Sequence, residues 1–153
     1  MAGLSGEIRV ELWWKLVAAH AQVVQTVGRD LEAATGLSLG SYNVLRVLRE
    51  ASGCRLRLSE LARAVLLTRS GATRLAERLE RAGLLCREED TRDLRGSYAV
   101  LTERGREKWR RAKAVFERAV VKRFGSHLSV AEAKTLKVVL GRIVAEDTGA
   151  DSR

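Results

Sequence analysis

Proline is absent from this 153-residue chain, histidine and cysteine occur twice each, and aromatic side chains make up only 5%. Without proline no helix is broken by a missing backbone N–H, so long helices are open to the chain. Cys54 and Cys86 stand far apart with no CxxC spacing and no nearby histidine pair, which argues against a disulfide framework or a zinc module. They read as two small buried apolar residues. His20 and His127 lack the companion carboxylates or thiols of a metal-sensing site, so no metal or other cofactor is expected. No apolar run approaches the roughly 18 residues of a membrane span. The start MAGLSGEIRVELWW lacks the basic-then-apolar order of an export signal, so a cytoplasmic protein with no membrane partner is expected. The nucleophile elbow GxSxG, the P-loop, GxGxxG after a strand, HExxH and a close Cys-His pair are missing too, which argues against an enzyme.

What the chain has in excess is positive charge. Lys and Arg outnumber Asp and Glu by 28 to 19, for a net charge of +9, which favours a polyanionic partner. The 46% hydrophobic content is enough for one ordinary core, and no Ser- or Gly-rich linker divides residues 1–153 into separate domains. Over residues 9–34, Trp13, Leu16, Val17, His20, Val23, Val24, Val27 and Leu31 recur at the three-and-four spacing of one helix face, with Trp14 off that stripe. Gly36 breaks the pattern, Ser38 is a helix cap, and Tyr42, Leu45, Val47 and Leu48 mark a second helix ending near Gly53. After a short Arg-Leu alternation at 55–58, two closely spaced helices span 59–66 and 68–82, and Gly83 stops the second. The period then changes from 3.6 to 2. Leu84, Leu85 and Cys86 pair with Tyr98, Val100 and Leu101 as a hairpin with a charged tip. Thr102 caps a helix running through Phe124, and a last helix spans 130–144.

Residues 58–85, LSELARAVLLTRSGATRLAERLERAGLL, carry the apolar pattern of a helix-turn-helix in which Leu61, Ala62 and Val65 face Ala72, Leu75 and Leu79. The second helix presents Arg69, Ser70, Thr73 and Arg74 in its first two turns. A helix entering the major groove reads bases with those turns, where Arg pairs with guanine acceptors and Ser or Thr with several edges. Arg78 and Arg81 alternate with Glu and read either as DNA contacts or as a solvated face with local ion pairs; Arg78 is retained among the DNA-binding candidates.

The stretch 61–105 resembles the MarR family, whose members carry a helix-turn-helix, the run RLxxRLExxGL and a wing written DxxDxRxxxVxLTxxG. Here Arg74-Leu75, Arg78-Leu79-Glu80 and Gly83-Leu84 match the first motif, and Asp90, Asp93, Arg95, Leu101-Thr102 and Gly105 match the second. The resemblance implies a mainly α fold with a small two- or three-stranded β wing. It implies a winged helix-turn-helix lobe at 36–101, and dimerisation through the N- and C-terminal helices, 9–34 plus 102–147. It places Arg95 at the wing tip in the minor groove, with Asp93 holding it, while Arg92 suits a phosphate. Three residues depart from the family pattern: Leu66 stands at the glycine of the turn, Leu94 at a basic wing residue, and Arg57 at the polar cap of the first helix.

The function so implied is sequence-specific binding of double-stranded DNA by a homodimer, as a ligand-responsive repressor on a pseudo-palindromic operator; the alternative is an architectural protein that binds DNA without sequence preference. The family's effectors are small, anionic and often aromatic, and lie between the dimer helices and the DNA-binding lobe. Trp14, His20, Tyr42, Arg106 and Trp109 are the candidates for such a pocket, although Tyr42, Trp109 and His20 also fit core or interface positions.

Overall fold

Hydroxyl side chains start five of the helices, each accepting a hydrogen bond from a backbone N–H that the helix itself leaves unsatisfied. Ser5 accepts from Ile8, Ser38 from Ser41, Thr68 from Gly71, Thr102 from Gly105 and Ser129 from Glu132. A computed structural model describes residues 5–90 and 96–148. Within them α1 spans Gly6–Thr35, α2 Leu39–Glu50, α3 Leu58–Ala64, α4 Arg69–Arg81, α5 Glu103–Arg123 and α6 Val130–Thr148. The strands are β1 (Arg55–Arg57), β2 (Leu85–Glu89) and β3 (Ser97–Leu101), antiparallel in the order β1-β3-β2. The Arg-Leu alternation is thus a third strand, with Leu56 opposite Ala99 and Arg57 opposite Tyr98. Gly36 closes α1 in the left-handed conformation at φ 69°, and its N–H reaches back to the Glu32 carbonyl.

The core lies where α2, α3 and α4 pack over the sheet and beneath the junction of α1 and α5. Leu31, Leu45, Leu48, Leu61 and Leu85 are essentially inaccessible there. Each such leucine contributes about 1.5–3 kcal/mol relative to an exposed one. Two expectations from the sequence change. The single apolar stripe of α1 is split: Val27 and Leu31 are buried, while Trp13, Leu16, Val17, His20 and Val24 are exposed in the isolated chain. The lobe reaches only the C-terminal end of a 30-residue helix, so among the described residues the other end is left uncovered. Neither cysteine is buried. Cys54 is half-buried in the turn before β1, and Cys86 is exposed, because the outer face of β2 carries no covering layer.

α5 joins the terminal helices to the lobe through the Leu101-Thr102-xx-Gly105 sequence. Leu101 enters the core, and the Thr102 hydroxyl donates to the Gly83 carbonyl at 2.8 Å while capping α5. A Cβ at Gly105 would lie 2.0 Å from the Leu84 carbonyl oxygen and 2.7 Å from Leu101 Cδ1. Only a residue without a side chain lets the first turn of α5 approach the strand this closely. Further along, Asp30 of α1 accepts two hydrogen bonds from Arg123 of α5, at 2.8 and 3.0 Å, which hold its carboxyl below its usual pKa.

Two outcomes follow. Gly105→Ala forces backbone out of place and lowers stability by about 3 kcal/mol, measured by urea denaturation; an unchanged midpoint would contradict the close approach. Because the folded pKa of Asp30 is depressed, its contribution is present at neutral pH and lost as pH falls through that lowered value. The melting-temperature difference between wild type and Asp30→Asn therefore closes as the pH drops below roughly 4.

Candidate nucleic-acid interface

The turn between α3 and α4 is left-handed at Leu66, the position where the family motif has glycine. Leu66 adopts φ 55°, its N–H bonds to the Arg63 carbonyl, and its side chain is 93% exposed. A leucine is costly in this conformation, of order 1 kcal/mol, so the surrounding contacts impose it. Those contacts are the buried Leu61 and Ala62 of α3 against Ala72, Ala76 and Leu79 of α4. The small residues allow close crossing and fix the direction of α4.

That crossing leaves Arg69, Ser70 and Arg74 exposed at the start of α4, where the first turn holds no acidic residue. Among the described residues neither arginine forms an ion pair. Thr73 is half-buried and its hydroxyl donates to the Arg69 carbonyl at 2.9 Å. Arg78 separates from this group. Its guanidinium donates to both Ser38 and Ser41 at 2.8 Å, tying α4 to the start of α2 in place of the local ion pairs the Arg-Glu alternation suggested. The acids of α4 turn instead toward β2, where Arg87 pairs with Glu77 at 3.3 Å and Glu80 at 3.1 Å.

The hairpin of β2 and β3 rises beside α4, its last described pairing being Glu89 with Ser97, and the Asp90 N–H reaches the Gly96 carbonyl at 3.1 Å. Arg92, Asp93 and Arg95, and the Leu94 departure, lie outside the described residues. Toward the far end of the described hairpin stands a network that sequence reasoning missed. Asp90 is 4% exposed and ion-paired with Arg57, whose Nε also donates to the Tyr98 hydroxyl at 3.3 Å. Arg55 stacks 4.1 Å from the Tyr98 ring centre and pairs with Glu88. The signal was Arg57 itself: its N–H is met by the Glu60 carboxylate, which frees the side chain at that position from capping duty.

The five effector candidates do not converge. Trp14 and His20 stand exposed on α1, and Tyr42 is a core residue, 2% exposed and stacked 4.5 Å from Phe116. Burial, the largest effect, pushes its phenol above the usual pKa. Arg106 and Trp109 meet in a small cavity of about 290 Å³ with Arg49 and Cys54. A larger cleft of about 610 Å³ opens where α1 and α5 meet α2 and α4, lined by Ser38, Ser41, Arg78, Arg104, Lys108 and Arg111 among others.

A helix-turn-helix with an acid-free, arginine-bearing start to its second helix, backed by a three-stranded sheet with a projecting hairpin, defines a winged-helix DNA-binding protein. The MarR family model matches residues 37–97. Sco3205, a MarR family transcriptional regulator from Streptomyces coelicolor solved in complex with DNA, is 30% identical with a TM-score of 0.85, over 100% of this chain and 95% of that one. AbsC, another MarR family regulator from S. coelicolor, is 28% identical with a TM-score of 0.82 over 97% and 99%. A Thauera aromatica protein assigned to regulation of the hcr operon is 30% identical over 148 residues, 95% of this chain and 83% of its own. The chain belongs to the MarR family; it is a DNA-binding transcriptional regulator, not an enzyme. No helix among the described residues is long and apolar enough to cross a membrane.

Proposed function

We propose that the protein binds a pseudo-palindromic operator as a homodimer and represses transcription until a small anionic effector releases it. The observation that carries the reading is the exposed start of α4, where Ser70 and Arg74 stand ready for base edges, the first turn holds no acidic residue and, among the described residues, Arg74 forms no ion pair. In this reading Arg95 enters the adjacent minor groove with Asp93 holding it, and Arg92 meets a backbone phosphate. One lobe makes a small interface; two lobes at fixed separation read two half-sites about one DNA turn apart.

The apolar surface left on the terminal helices supports the dimer. Trp13, Trp14 and Leu16 of α1 are 58%, 63% and 44% exposed, and Val138 and Ile143 of α6 are 61% and 56% exposed. Apolar surface in this quantity marks an association site. Repression is the simplest output, since occupancy of an operator obstructs transcription without any further contact. For the effector, the 610 Å³ cleft is the best seat: it is rich in Arg and Lys, and Arg78 belongs to α4 itself, so an anion that draws Arg78 from Ser38 and Ser41 acts directly on the reading helix.

A duplex selected from a randomised library by repeated capture serves as operator. In fluorescence anisotropy the wild type prefers it to a scrambled duplex by several kcal/mol. Arg74→Ala lowers that affinity by about 1–3 kcal/mol and relaxes preference at one base pair. Equal binding to both duplexes would replace this reading with an architectural one. Trp13→Glu shifts sedimentation to the monomer and abolishes tight binding; an unchanged dimer places the interface elsewhere. Among phenolic carboxylates, those that release DNA from wild type fail against Arg104→Ala with Lys108→Ala; release that survives both substitutions rules out the cleft.

A further inference from the structure

A duplex engaged by α4 in its major groove and by the wing in the adjacent minor groove passes one sugar-phosphate strand between them, because the backbone is what separates the grooves. The surface beneath that strand is not flat. It is a concavity of about 260 Å³ between the start of α3, the start of α4 and the start of β3, lined by Arg57, Ser59, Arg69, Thr73 and Ser97 among others.

Two cationic side chains line this concavity. Arg57 comes from the sheet side, and Arg69 from the first residue of α4. Arg57 is oriented by its own surroundings: Asp90, almost inaccessible, holds one end of the guanidinium, and the Tyr98 hydroxyl takes Nε. Its side chain keeps 36% exposure. The carboxylate that aims the cation is thus turned away from solvent, and the cation is not. Ser59 adds an exposed hydroxyl and Ser97 a half-buried one. Thr73 is a wall rather than a donor, because its hydroxyl hydrogen is already given to the Arg69 carbonyl.

We infer that this concavity seats one backbone phosphate of the bound duplex, with Arg57 and Arg69 as charged donors and Ser59 and Ser97 completing the seat. Phosphate offers only acceptors, and the seat offers donors from four separate elements. The assignment gives Arg69 a backbone role in place of base reading, leaving Arg74 as the base-reading arginine of α4. It rests on the reading that α4 and the wing occupy adjacent grooves of one duplex.

The test uses the full-length protein and its selected duplex, with a neutral methylphosphonate placed at successive single positions. At one position per half-site, between the α4 contacts and the wing contacts, the neutral linkage weakens wild-type binding about tenfold. The same linkage weakens Arg69→Gln or Arg57→Gln little further, and each variant lowers the slope of log K against log salt by about one while base preference stays unchanged. Should Arg57→Gln fail to fold, Ser59→Ala and Ser97→Ala, whose hydroxyls make no core contact, must show smaller losses confined to the same position. If Arg69→Gln instead relaxes preference at a base pair and its loss adds to that of the neutral linkage, Arg69 reads a base and the seat is wrong. A wild type with no preference for its selected duplex overturns the regulator reading itself; a wild type with that preference but no sensitive phosphate at this position overturns only the seat.

Discussion

The architecture turns on one close approach, that of the Gly105 backbone to the carbonyl of Leu84. It lets α5 leave the sheet without a gap, and α5 is the element that ties the winged lobe to α1. Thr102 serves both sides of the same junction, capping α5 with one interaction and holding the Gly83 carbonyl with another. Any change in the direction of α5 is therefore a change in where the lobe points. The Asp30–Arg123 pair fixes the same relation further along the helices, by charge where Gly105 does it by contact.

The arginines are sorted by the partners the fold gives them. Glu77 and Glu80 hold Arg87 of β2, Asp90 holds Arg57, Glu88 holds Arg55 and Glu107 holds Arg110 and Arg111. The exposed pairs among these contribute about 0–1 kcal/mol each, so their value lies in where they leave the chain's surplus charge. Among the described residues the start of α4 receives no carboxylate. Part of the net charge of +9 is thus left unpaired at the exposed first turns of α4.

Much of the fold was legible from the residues in order. The caps Ser38, Thr68 and Thr102 all act as expected, since capping depends on three or four neighbouring residues and not on distant ones. The change of period after Gly83 marks the hairpin. Leu66 in the left-handed region shows the limit of such reading: the turn is retained without its glycine because the α3–α4 packing imposes the geometry on leucine.

Local pattern determined which segments are helices and where the β2–β3 hairpin lies, and the motifs over residues 61–105 resemble those of a winged helix-turn-helix. Only the tertiary structure decided which side chains meet. It drew Arg78 onto Ser38 and Ser41, stacked Tyr42 on Phe116, left Cys86 exposed, divided the α1 stripe into a buried end and a bare one, and joined Arg57 to Asp90. The reason is one of range. Capping and periodicity are set by residues within a turn or two of each other, whereas the partner of a long cationic or aromatic side chain is whatever residue, dozens of positions away, the packing of the core brings to its tip.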